Sequence, residues 1–245
     1  MAEFRTLSPG EIITLGLALA AASVSPLAFV VSAAGIFTLH YLAEVAIIPA
    51  IVVWLAAFAL SRMAGWPDLK AAFKIALPAG ILGTIALEIV RIIGFREFSA
   101  MPGSMPELLG VQITNTFMQG PSAWSDFVGW GDHILLNGTG FAFVYIVLFG
   151  RQRWFVATLY ALVVATIFMI SPATTATGAG MFGQQYAPIG FPLTVYIAHI
   201  AFGSTVGLIT ARARSTPDRS LFLAAAMTVL KPLLPGHITH ASHSH

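Results

Sequence analysis

Apolar residues run through this chain in blocks far longer than the amphipathic stripe of a water-soluble helix. Crossing a bilayer takes roughly 20 consecutive apolar residues, and the first block, from Glu11 to Leu60, is about fifty residues long, enough for two crossings and a tight turn. The pattern predicts helices over 11–33 and 36–60, with Ala34 and Gly35 at the turn. Further helices are expected over 72–94, 131–150, 154–171 and 190–212. Ile12 to Ala22 is apolar and contains Ala18-Leu19-Ala20, which resembles a cleavage site, so it has the outline of a signal peptide. Arg5 is offset by Glu3 and Glu11, however, so the stretch reads as the first membrane helix.

Basic residues test the count. Arg62, Lys70 and Lys74 flank one connection, Arg151 and Arg153 the next but one, and Arg212, Arg214 and Arg219 follow the last helix. Six crossings put all of these on one side with Arg5, and leave Arg96 opposite. By the positive-inside rule, both termini are then cytoplasmic in a multi-pass protein of the cell's inner (plasma) membrane. Two outward connections, 95–130 and 172–189, are long. In the first, Leu108, Leu109, Val111, Ile113, Phe117 and Met118 suit a short helix lying in the interface, and Trp124, Phe127 and Trp130 suit the aromatic belt. The second is rich in Gly, Thr and Pro and ends in Gln184, Gln185 and Tyr186. The expected organisation is a six-helix transmembrane domain over 1–219. A cytoplasmic interfacial helix and a tail carrying His237, His240, His243 and His245 would occupy 220–245.

Composition narrows the class. Of 245 residues, 57% are hydrophobic and only 9% charged, with a mean hydropathy of +0.84. A soluble domain carries about 25% charged residues, so the fold expected is an all-α, polytopic membrane bundle. Intrinsic disorder is excluded by the same figures. Cys is absent, which removes disulfides, thiolate metal sites and thiol nucleophiles. The formal charge of +2 is spread over helix ends, a poor phosphate-binding surface, so nucleic acid is not an expected partner. The expected partners are the bilayer, a lipophilic small molecule, and a second copy or a membrane-complex subunit.

The chemistry lies in the few ionisable groups inside the spans. Each costs about 2.5 kcal/mol or more at mid-depth, which makes such residues functional candidates. His40 and Glu44 fall in the second helix, Glu88 and Arg91 in the third, Asp132, His133 and Asn137 in the fourth, and His199 in the sixth. Counted from the helix ends, all eight sit in the outer half of the bilayer. His40 and Glu44 share a face, as do His133 and Asn137, whereas Glu88 and Arg91 are spaced to neutralise each other. Pro49 and Pro78 are expected kinks, and Gly203 with Gly207 forms a close-packing face.

Imidazoles with carboxylates can ligate Zn, Fe, Mn or Cu. The leading expectation is therefore a membrane metalloenzyme, oxidative or hydrolytic, acting on a lipophilic substrate. His40, His133 and His199 would be its ligands, Glu44, Glu88 and Asp132 its ligands or general bases, and Asn137 and Arg91 would bind cofactor or substrate. Alternatives are b-type haem held by His residues in an electron-transfer protein, a metal-free acid–base enzyme such as a cyclase or lipid transferase, a small-solute or proton-coupled transporter, and a scaffold subunit.

Overall fold

The computed structural model describes residues 5–231. Among these residues the chain is helical without strands, and five helices are long and apolar enough to cross a membrane. They are α1 (Pro9–Ala33), α2 (Leu39–Met63), α3 (Pro67–Arg96), α5 (Ala123–Phe149) and α8 (Gly190–Arg212). A sixth, α6 (Trp154–Ile170), has 17 residues, the lower limit for a span. Three shorter α-helices, α4 (Met105–Ile113), α7 (Pro172–Ala176) and α9 (Leu221–Leu230), and a 3-10 turn at Met181–Gly183 complete the helical elements of the described residues. The protein is a polytopic all-α membrane bundle, and its spans lie where the apolar blocks place them.

Local chemistry sets the ends. Ser8 caps α1 by accepting from the Glu11 amide, and Pro9 follows at the first helical position, where a missing N–H costs nothing. Pro67 does the same for α3, which therefore begins several residues before its apolar run. At α5, Ser122 and Ser125 form a reciprocal capping box. That box starts the helix at Ala123, so Trp124 and Phe127 stand on its first turns, exposed and stacked at 5.9 Å. Helix α4 occupies part of the expected interfacial segment, with Phe117 and Met118 exposed beyond its end. Helix α9 forms within the expected C-terminal apolar segment; the His-rich tail lies outside the described residues.

Five helices ring a central space. α1 packs on α5, α5 on α3, α3 on α8 and α8 on α6, while α2 lies outside against α1 and α3. The ring has a break. Helices α6 and α1 are not packed together, and at the end bearing the long connections the short helix α7 bridges them, touching both. Near the opposite, basic end Trp54 of α2 packs on Phe73 of α3 and Phe143 of α5, with ring centroids 4.7–5.9 Å apart. At that end Arg5 pairs with buried Glu11 at 2.5 Å and with Asp68 at 3.1 Å, tying the chain's start to α3.

Close approach depends on glycine. On α8, Gly203 and Gly207 abut the α6 backbone at Ala157 and Trp154, the small-residue packing that their spacing predicts. A Cβ on Gly129 of α5 would lie on the Pro106 carbonyl and the Gly110 amide of α4. Backbone cannot yield as a side chain can, so Gly129→Leu is expected to unseat α4 and lower the midpoint of thermal unfolding in detergent by several degrees. A midpoint equal to that of the wild type would contradict this packing.

Two spans are not plain α-helix. Within α2, Ala43–Ile47 forms a π turn just before Pro49. The proline removes one amide from the ladder, and the wider turn absorbs the disturbance, so the expected kink takes the form of a π segment. α3 continues unbroken through Pro78. The second π segment, Asp132–Gly138, interrupts α5 and contains three of the candidate residues. Single π turns inside α-helices occur frequently at functional sites.

Candidate functional site

The centre of the polar cluster is Glu88 on α3. Its Oε1 accepts from Arg91 Nη1 at 2.6 Å and from His133 Nε2 at 2.9 Å. The Glu88 and Arg91 side chains are 6% and 10% exposed, so the pair is buried inside the bundle and compensates itself. The three-residue spacing on α3 creates the ion pair, and the π turn of α5 carries His133 across to it. Because a carboxylate oxygen accepts, the His133 proton resides on Nε2. In the neutral ring, Nδ1 is then the bare nitrogen.

His199 on α8 has the opposite tautomer. Its Nδ1 donates to the Val195 carbonyl one turn back at 2.8 Å, leaving Nε2 bare. Both imidazoles are thus oriented by a fixed partner, and each retains one basic nitrogen.

Asp132 has a different environment. Ser25 of α1 donates to its Oδ1 at 2.7 Å, and Asn137 Nδ2 donates to its Oδ2 at 2.8 Å and to its backbone carbonyl at 3.3 Å. Both carboxylate oxygens are used and the residue is 5% exposed. The group is a strut that fastens α1 to the π segment. Asp132 and Asn137 are five apart, a spacing that faces one way only on a π turn. Ser25, inside an apolar run, carried no sequence signal.

His40 and Glu44 stand elsewhere. His40 Nδ1 donates to the Ile113 carbonyl at the end of α4 at 2.7 Å, and its Nε2 is 3.7 Å from Glu44. Their side chains are 40% and 62% exposed. Their expected depth in the outer half matched that of His133, but α2 packs on the outside of the ring. The structure therefore does not bring the three histidines together. Among the described residues no three His, Asp or Glu side chains converge as a metal-holding group.

Within the ring lies a cavity of about 360 Å³ lined by α1, α3, α5, α6 and α8, with Met105 and Leu109 of α4 also at its wall. Its walls are mostly apolar, with Leu87, Phe141, Val144, Phe168, Val195 and Phe202 among them. Polar groups from α3, α5 and α8 reach it: Arg91, His133, Asn137 and His199, with Thr84 beside them. Asn137 spends its amide nitrogen on Asp132, so its oxygen remains as an acceptor. The cavity thus offers guanidinium donors beside two imidazole nitrogens and an amide oxygen. An apolar chamber with a few convergent polar groups is the usual form of a small-molecule site.

Comparison of the chain with protein-family models, with curated proteins and with solved structures gives no match.

Proposed function

We propose that this membrane protein binds a neutral amphiphile with a hydroxyl or carbonyl head inside its helix bundle, and that His133 moves a proton to or from that head. The observation carrying this reading is the Glu88 Oε1 that holds both Arg91 and His133 at the wall of an apolar cavity. The ion pair cancels its own charge, so an anionic head is not needed for balance. A hydroxyl would donate to a bare imidazole nitrogen and accept from the guanidinium, and a carbonyl oxygen would only accept. Glu88 is a positioning residue that fixes the tautomer of His133. Nδ1 of His133 is the group that takes the proton, as a general base aligned by a carboxylate does.

Purified protein equilibrated with hexadecanol or with palmitate, then measured by native mass spectrometry, tests this. The alcohol should be retained at least as well as the carboxylate. Retention of palmitate alone would overturn the neutral-head assignment, and retention of neither would overturn the site.

One observation favours a metal instead: two bare imidazole nitrogens, His133 Nδ1 and His199 Nε2, line the same cavity. On this second reading elemental analysis finds Zn, Fe, Mn or Cu near one equivalent, and His199→Ala removes it. Metal that persists in His199→Ala would reject these two ligands.

A further inference from the structure

We infer that the cavity is loaded sideways, from the bilayer, through an intramembrane opening between α1 and α6, and that its ligand has an alkyl or isoprenoid tail which remains in that opening. The inference rests on the proposed binding site and deepens it by naming the route and the tail. Three observations carry it. The ring α1–α5–α3–α8–α6 is packed at each successive pair but not where α6 returns to α1. Leu27 of α1 and Ile167 of α6 line the cavity, yet are 59% and 57% exposed on the bundle's lipid-facing surface. A residue that both lines a chamber and faces outward marks its mouth. Finally, α7 touches both α1 and α6 and lies across this gap like a lintel on the side of the long connections.

Polarity gives the direction. Arg91, His133, Asn137 and His199 all come from α3, α5 and α8, whereas α1 and α6 border the mouth with Leu27, Val30, Val164 and Ile167 and add only the Ser23 and Tyr160 hydroxyls, which donate to the Leu19 and Phe141 carbonyls. A head group would therefore sit deep, with its tail toward the lipid. The volume of about 360 Å³ is near the lower end for ligand sites, roughly 300–1,000 Å³. It accommodates a head and the start of a chain, and the rest of a long tail would leave through an apolar gap whose surroundings match it.

The test uses full-length protein in lipid nanodiscs and two probes, hexadecanol placed in the bilayer and butanol added from water. Leu27→Trp/Ile167→Trp narrows the mouth with residues that face lipid, leaving the packed ring untouched. Loading of hexadecanol should slow by about tenfold or more, as expected when a gate limits access, while butanol binding stays at the wild-type level. In Leu27→Ala/Ile167→Ala, hexadecanol should load at least as fast as in the wild type. Unchanged hexadecanol loading in the Trp variant, or slower loading in the Ala variant, would overturn the lateral route. So would loss of both probes in the Trp variant, because the substitutions would then be acting on the head site and not on entry. If wild-type protein takes up neither probe, the binding site itself fails and the route fails with it.

Discussion

Glu88→Ala is expected to destabilise the protein by about 3–5 kcal/mol, the cost of stripping one partner from a buried ion pair, and to abolish retention of a bound long-chain alcohol. Removing the carboxylate leaves the Arg91 guanidinium buried without the oxygen it meets at 2.6 Å. It also frees His133 from the group that holds its proton on Nε2. Stability and function separate in a second variant. Glu88→Gln/Arg91→Met replaces the pair with groups that carry no uncompensated charge, so most of the stability should return. Retention of the alcohol should not recover, because the guanidinium that donates to its head is gone and a neutral amide holds His133 less firmly. The midpoint of unfolding in detergent and native mass spectrometry read the two effects independently. If Glu88→Ala unfolded at the wild-type midpoint, the pair would not be buried as described.

His133→Ala should produce the converse pattern. The Glu88–Arg91 pair survives it, the side chain removed is only 15% exposed and borders a space that already exists, and the loss of stability should stay near 1 kcal/mol. Retention of hexadecanol should fall by about tenfold, the equivalent of one hydrogen bond of about 1.4 kcal/mol. His133→Gln refines the assignment. It can still donate to Glu88 and keep the wall in place, but it has no basic nitrogen. It should hold the alcohol better than His133→Ala while remaining unable to exchange a proton with it. A His133→Ala protein that kept full retention would remove His133 from the site.

The spans were legible because membrane crossing writes itself into the chain as long apolar blocks, and each predicted block overlaps an observed helix over most of its length. Helix starts were less so. α5 begins at Ala123 because of a serine capping box inside a segment whose glycines and aromatics read as a loop. Convergence was partly readable: Arg91, His133 and His199 do line one cavity, and Glu88 bonds to the first two. Which face of the bundle each residue joins was not, since that depends on which helices are neighbours. His40 matches His133 in depth but bonds to the end of α4. The Ser25–Asp132–Asn137 strut escaped because it needs a five-residue spacing that only a π turn brings to one face. The cavity itself has no sequence signal, for its walls are the same Leu, Val and Phe that face lipid elsewhere.

Photolabelling with a diazirine-bearing hexadecanol, followed by peptide mapping, shows whether the alcohol sits inside the bundle. The label is expected on cavity residues such as Phe141, Val144, Phe168 and Phe202, with unlabelled hexadecanol competing it away. Labelling confined to lipid-facing residues such as Val52 and Leu55, without competition, would contradict it.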